Sequence, residues 1–180
     1  MAGLLEGFIQ QFTSGAPGAN AEEFHDRFSS TEEADRDFDS ETYHEAAADH
    51  LQQLPEDQFH SAAQQALAQA PPQERADLLG GLLRTLTSSG GLGALGGMAG
   101  AGGAGAIGQI AQMLGLGSTD PRQMSGDDGT KLLNYARKER PDALRATVAD
   151  KPWFLKALGN PILMGVLTMA ATRLLSRQQR

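Results

Sequence analysis

Residues 39–86 repeat three times with a period of sixteen residues. The three rows read DSETYHEAAADHLQQL, PEDQFHSAAQQALAQA and PPQERADLLGGLLRTL. Tyr43 and Phe59 occupy the same position in their rows, and so do Leu51 and Leu67. Within each row the apolar residues recur at intervals of three and four, as they do on one face of an α-helix. The repeat therefore predicts three short helices joined by tight turns.

Each row begins with residues that favour the start of a helix. Asp39 or Ser40 is the candidate N-cap of the first row, because a short polar side chain accepts hydrogen bonds from the free N–H groups of the first turn. Pro55 opens the second row and Pro71 the third, and proline suits the first helical turn. Such short helices are marginal alone. Residues 39–87 therefore predict a three-helix unit that arose by duplication, with chance alignment of alanine-rich helices as the alternative.

Residues 1–38 predict an amphipathic N-terminal helix followed by an acidic connector. Phe24 and Phe28 lie four residues apart and indicate a second short helix within that connector. Glu6 interrupts the apolar residues and no basic residue precedes Arg27, so a secretory signal is not indicated and the expected location is cytoplasmic. The apolar face of the first helix consists of Leu4, Leu5, Phe8, Ile9 and Phe12.

The segment 88–117 is rich in glycine and carries no charge. Two stretches within it match GxGxxG, but the dinucleotide-binding fingerprint needs a strand before the glycines, and the preceding LLGGLLRTL has a helical pattern. Three interpretations stay open: a flexible linker, a glycine-zipper element that contacts a membrane, and a segment packed on its neighbours. The last part, AIGQIAQMLG, predicts a short helix in each case.

Residues 118–180 predict a basic C-terminal unit of four helices. Asp127 or Asp128 is the candidate cap of the first helix, and prolines open the other three. These prolines are Pro141, Pro152 and Pro161. Trp153 together with Phe154 is the expected anchor of the core in this unit, and a membrane-interface anchor is the alternative role of the tryptophan.

Charge is distributed unevenly along the chain. Residues 1–60, here called the acidic front, carry a net charge of −12, whereas residues 121–180, here called the basic rear, carry +6. The two regions either attract each other, within or between chains, or form two separately solvated surfaces. The last arginines suit the negative end of a helix dipole, with anionic lipid or nucleic acid as alternative contacts. They are Arg173, Arg177 and Arg180.

No constellation of residues in the sequence predicts catalysis. The chain lacks cysteine, which excludes disulfides, cysteine nucleophiles and cysteine-based zinc sites. Glu41, His44 and Glu45 share a helix face closely enough to bind a metal, yet no HExxH pattern supports such a site. His44 and His60 hold the same repeat position, which favours a packing or capping role. We therefore predict a protein that is not an enzyme, with no catalytic, cofactor-binding or metal-binding residues.

The segments PEDQFHSAAQQAL and PPQERADLLGGLL resemble repeats in uncharacterised small bacterial all-helical proteins. Those proteins also carry a glycine-rich middle segment and an apolar C-terminal helix. The resemblance implies a bacterial protein, and it transfers no functional residue to this chain.

These patterns predict an all-α protein in which two small helical units are joined by a Gly/Ala-rich segment. The predicted function is that of a non-enzymatic helical interaction or scaffold protein, and whether it self-associates stays open. A peripheral or glycine-zipper membrane protein is the alternative. The expected partner is another protein or a second copy of the chain, with a membrane surface as the alternative. Nucleic acid, a small-molecule substrate and a cofactor are not expected.

Overall fold

The computed structural model of the protein describes residues 6–10, 21–30, 39–88 and 103–180. These ranges contain helices and turns without a β-strand, which confirms the all-α prediction for the described part of the chain. The N-terminal segment 6–10 is helical. The other helices are α1 (Ala21–Ser29), α2 (Ser40–Gln53), α3 (Glu56–Gln69), α4 (Pro72–Ser88), α5 (Gly103–Leu114), α6 (Gly126–Glu139), α7 (Pro141–Asp150), α8 (Trp153–Ala157) and α9 (Asn160–Gln178).

The sixteen-residue repeat is a repeat of helices, as predicted. Helices α2, α3 and α4 begin at residues 40, 56 and 72. Tyr43 and Phe59, which are equivalent in the first two rows, are both fully buried. A second equivalent position is also fully buried in all three rows, and it is occupied by Ala47, Ala63 and Leu79. The period in the sequence therefore marks the face of each helix that enters the core.

Capping follows the predictions at α2 but not at α6. The Asp39 carboxylate accepts hydrogen bonds from the backbone N–H groups of Glu41 at 3.1 Å and Thr42 at 3.3 Å, which confirms it as the N-cap. The prediction of Asp127 or Asp128 as the cap of α6 is wrong, because Ser125 holds that position. Its hydroxyl accepts from the Asp128 N–H at 3.0 Å, and the Asp128 carboxylate accepts from the Ser125 N–H at 3.3 Å. This reciprocal pair is a capping box.

Helices from the two predicted units share one hydrophobic core. Helix α2 packs against α7 and α9, α3 packs against α6 and α8, and α4 packs against α5, α6 and α7. The buried apolar residues of all these elements form a single cluster. The predicted division into two units is therefore not confirmed. The physical reason is that short, alanine-rich helices bury little area by themselves and become stable by packing on one another.

The glycine-rich segment 88–117 falls only partly within the described residues. Its predicted C-terminal helix is confirmed as α5, which packs on α4. The left-handed residue Gly115, with a φ of 66°, follows the end of α5 and allows the chain to turn there. Residues 89–102, on which the choice between linker, membrane element and packed segment depends, lie outside the described residues.

Phe154, rather than Trp153, is the buried aromatic anchor of α8. The Phe154 side chain is fully buried, whereas Trp153 is half-buried and packs against the edge of the core with its ring edge-to-face on Phe154. The prediction that both residues anchor the core is thus met fully by the phenylalanine and in part by the tryptophan. In this five-residue helix Phe154 and Leu155 face the core, whereas Trp153 begins the helix and lies at the edge of the core.

Two glycines permit close approach between helices. A Cβ atom added at Gly129 on α6 would lie 2.7 Å from the Leu67 side chain of α3, inside the contact distance of carbon atoms. A Cβ added at Gly165 on α9 would overlap the imidazole ring of His50 on α2. The packing of α9 on α2 therefore depends on the absence of a side chain at residue 165.

Phe154→Ala is expected to lower the free energy of unfolding by about 3–5 kcal/mol, because it removes a fully buried ring. Trp153→Ala is expected to lower it less, since only part of that ring is covered. Urea denaturation followed by circular dichroism measures both variants. A larger loss for Trp153→Ala would show that the tryptophan is the stronger anchor.

Gly165→Ala is expected to destabilise the protein by about 1–3 kcal/mol through overlap with His50. In a His50→Ala background the same change becomes neutral or stabilising, because alanine is the better helix former by roughly 0.5–1 kcal/mol. Gly81→Ala is the matched control, since no heavy atom would meet its new Cβ within 4 Å. Thermal denaturation of the four variants measures the coupling, and an equal effect of Gly165→Ala in both backgrounds would contradict the contact.

Candidate functional site

Helix α5 presents an uncharged face to solvent. Ile110 and Ala111 are buried on its inner side. Met113 has 54% of its surface accessible and is the one large hydrophobic side chain that is exposed among the described residues. The sequence carries no charged residue between positions 85 and 119, so the face is neutral as well as partly apolar. The exposed side of α5 consists of Gly108, Gln109, Gln112 and Met113.

A cleft of about 320 Å³ lies beside this face, between the end of α5, helix α6 and the start of α3. Leu114 and Tyr135 supply its apolar lining. Lys138 at the rim pairs with Glu56 across the cleft at 2.5 Å, and Lys131 pairs within its own helix. The cleft thus has an apolar part, formed by Leu114 and Tyr135, among polar and charged side chains that also include Asn134 and Glu139. We call Met113 and this cleft together the α5 surface.

The acidic front and the basic rear meet within one chain. Arg173 on α9 pairs with Glu45 and Asp49 on α2, and Arg177 pairs with Asp39 at 2.7 Å. Three further pairs join the regions: Arg145–Glu45 at 3.2 Å, Lys156–Asp26 at 2.9 Å and Lys138–Glu56 at 2.5 Å. Of the two interpretations that the sequence leaves open, these pairs agree with attraction between the regions within one chain. Each exposed pair contributes little by itself, and together they favour one orientation of the helices.

Arg137 on α6 is a buried cation bound to backbone carbonyl groups. Its guanidinium donates hydrogen bonds to the carbonyl oxygens of Leu51 at 3.1 Å and Leu54 at 2.6 Å, at the end of α2. It also lies over the Phe59 ring at 4.8 Å and donates to the Asn134 side chain at 3.2 Å. Burial lowers the pKa of Arg137, against a smaller raising effect of the nearby Glu56 carboxylate. The carbonyls at the negative end of a helix stabilise such a cation.

His25 and Tyr43 form a second buried polar contact. The hydroxyl of Tyr43 lies 2.6 Å from Nδ1 of His25, and both side chains are almost wholly buried. Desolvation lowers the pKa of His25 to about 4, and it raises the pKa of Tyr43. The imidazole is therefore neutral at neutral pH and links α1 to α2.

The residues with metal-ligand spacing are directed to different neighbours. Glu41 and His44 line a cavity of about 500 Å³ between α2 and α7, which also contains Arg145. Glu45 pairs with Arg145 and Arg173. Burial and the positive charge of Arg145 lower the pKa of His44. Within the described ranges no group of three potential ligands is arranged to hold a metal ion.

No sequence pattern singled out Arg137 or the contact between His25 and Tyr43. The available signal was their position within the apolar stripe of a helix. Arg137 follows Leu133 by four residues, and His25 lies between Phe24 and Phe28. A polar residue in such a stripe is buried, and a buried polar group requires a partner. The identity of that partner depends on tertiary structure.

None of the described helices has the length and apolar character needed to cross a membrane. Helix α9 is 19 residues long, but Arg173 and Arg177 lie in its last turns and Thr168 and Thr172 are exposed. Its apolar side chains are directed to α1, α2 and α8.

The chain matches no protein-family model, no curated protein and no solved structure. The resemblance to small bacterial proteins therefore stays a prediction. Three features of the structure bear on function: the α5 surface, the ion pairs between front and rear, and the two buried polar contacts.

Arg137→Met keeps an unbranched apolar stem in place of the arginine stem and removes every donor. We expect the free energy of unfolding to fall by about 2–3 kcal/mol, because the carbonyls of Leu51 and Leu54 lose a charged partner in a buried place. Lys138→Met is the control on the same helix, since its exposed ion pair contributes little. Equal shifts of the denaturation midpoint for the two variants would contradict the role of Arg137.

Proposed function

We propose that the chain is a non-enzymatic helical interaction protein that self-associates through the α5 surface. The observation that carries the proposal is the exposure of Met113 next to Leu114, which lines a cleft with Tyr135 as its other apolar residue. Methionine is enriched in protein–protein interfaces relative to the rest of a protein surface.

Charge favours a second copy as the occupant of this surface. The chain carries a net charge of −7, so two copies repel each other when charged faces meet. The exposed side of α5 has no charged side chain, and the two lysines at the cleft are paired with carboxylates, while Glu139 adds one further acid to the lining. Contact through the uncharged face of α5 thus adds little to the repulsion between two like-charged molecules.

The surface is also suited to a two-fold symmetric contact. Such an interface is self-complementary, because each copy offers both the projecting group and its receptor. Met113 is a flexible, polarisable side chain that fills irregular apolar spaces, and Leu114 beside it lines the cleft. In the proposed dimer, Met113 of each copy enters the cleft of the other near Tyr135.

The ion pairs weigh against the alternative of a peripheral membrane protein. Arg173 and Arg177 are two of the three arginines with anionic lipid as an alternative contact, and Arg180 is the third. Arg173 and Arg177 are both engaged with carboxylates of α2 and its N-cap, so binding to lipid headgroups requires that these pairs be broken. The engagement of these two arginines in ion pairs therefore supports a protein partner over a membrane surface.

Met113→Glu is expected to weaken self-association at least tenfold, because burial of a methionine contributes about 1.5–3 kcal/mol and a carboxylate in the contact is strongly disfavoured. Sedimentation velocity over a range of protein concentrations measures the dissociation constant. Gln65→Glu adds the same charge at an exposed position on α3 and serves as the matched control.

Two results would contradict the proposal. A wild-type protein that remains monomeric at all concentrations excludes self-association. Equal weakening by Met113→Glu and Gln65→Glu shows that added charge, rather than the α5 surface, determines association. Far-ultraviolet circular dichroism of each variant verifies that the helices are retained.

A further inference from the structure

Helix α1 is attached to the rest of the protein through an aromatic cluster. The Phe28 ring stacks on the Tyr43 ring with centroids 4.7 Å apart and an interplanar angle of 10°. Phe8, from the N-terminal segment 6–10, packs against Phe24 at 4.7 Å and Phe28 at 5.3 Å. A helix of nine residues is not stable by itself. These contacts therefore hold both α1 and segment 6–10 in place.

His25 lies in this cluster and is hydrogen-bonded to Tyr43. The Tyr43 hydroxyl lies 2.6 Å from Nδ1 of the imidazole, and both side chains are almost wholly buried. A buried O–H group requires an acceptor, and the neutral imidazole offers it the lone pair of Nδ1. One neutral imidazole thus connects α1 to α2.

Protonation of the ring is incompatible with this arrangement. A cationic imidazole carries N–H donors on both nitrogens, so Nδ1 no longer accepts the proton of Tyr43. The Tyr43 side chain is fully buried, and its O–H group then lacks that acceptor. A positive charge is also placed where only 1% of the histidine surface contacts solvent.

The charged groups around the ring do not compensate for its burial. Asp26 on α1 favours the protonated form, but it is paired with Lys156 of α8, which disfavours that form together with His44 of α2. Tyr43 is the other titratable group of α2 that faces the ring. The cations of α9 nearest to α2 are occupied by the carboxylates described above.

We infer that His25 is an acid-sensitive latch, whose protonation releases α1 from α2 and α9, together with the N-terminal segment 6–10 that packs on α1. Detachment of this small element requires fewer contacts to break than unfolding of the shared core does, so it occurs first. Release exposes the aromatic rings of the cluster, including Phe28 and Tyr43. The latch does not involve the α5 surface.

The direction of the pH dependence follows from the two protonation equilibria. The pKa of His25 is about 4 in the attached state and 6.5 when the ring is in water. Attachment is therefore fully favoured above pH 6.5 and weakens as the pH falls toward 4. With these two pKa values, the equilibrium constant for attachment of α1 is roughly 30-fold smaller at pH 5 than at pH 7.5. His44 and His50, whose pKa values burial also lowers, add a change of the same sign.

Hydrogen exchange of the full chain, converted to protection factors, tests the latch between pH 7.5 and pH 4.5. We expect residues 21–30 to lose protection more than tenfold across this range, while residues 72–88 keep theirs. In His25→Gln, the protection of residues 21–30 is expected to depend much less on pH than in the wild type, with only the contribution of His44 and His50 remaining. His60→Gln, at the repeat position of α3 equivalent to His44, is the control and should retain the wild-type response.

Equal pH responses of wild type and His25→Gln would overturn the inference. So would loss of protection in residues 72–88 at the same pH as in residues 21–30, because that result indicates global unfolding. If His25→Gln does not fold, nuclear magnetic resonance titration of the imidazole in the wild type decides the matter. A titration of His25 near its ordinary pKa of 6.5, without change at α1, contradicts the latch.

Discussion

The structure depends on a shortage of apolar surface in each helix. In α2 and α3 much of the buried face is alanine, which covers little area, and neither helix exceeds 14 residues. Such helices cannot form a stable unit by burying only their own faces. Helices from the basic rear therefore pack on α2 and α3, and all of them share one core. The close approach of α6 at Gly129 and of α9 at Gly165 follows from the same need for contact.

Polar contacts determine how the two parts fit together. Arg137 inserts its guanidinium between the end of α2 and the start of α3, where backbone carbonyls lack helical partners. Around it, carboxylates of the front face cations of the rear. Exposed ion pairs add modest stability. A buried cation, in contrast, is tolerated only where acceptors meet its donors at hydrogen-bond distance, so it restricts the position of the helix that carries it. Arg137 thus specifies the register of α6, and the surface pairs reinforce the orientation of α9.

The shared core leaves two features free for function. One is the α5 surface, where a neutral helix face and a partly apolar cleft remain open to solvent. The other is the attachment of α1, which combines packing on α9, a few aromatic rings, one exposed ion pair and one neutral histidine. Both occur at the edges of the core. Local contacts are fewer there than at the centre, and binding or release disturbs the remaining helices least.

Most of the helices were evident from the sequence, because period, prolines and polar caps are local signals. The sixteen-residue repeat defined α2, α3 and α4, and the spacing of Phe24 and Phe28 indicated α1. The cap of α6 was misassigned, since Ser125 and the two aspartates after it are all competent caps and only the geometry of the loop selects among them. The α5 surface was anticipated only as an uncharged segment ending in a helix.

The sequence by itself determined which residues form helices, which face of each is apolar, and that the front and rear of the chain carry opposite charge. Only the tertiary structure decided that the two parts share a core, that Phe154 is buried more deeply than Trp153, and that Arg137 and His25 find their partners on other helices. The physical reason is the separation along the chain over which each effect acts. Helical periodicity and capping act over a few residues, whereas the partner of a buried polar group is set by which helices pack together.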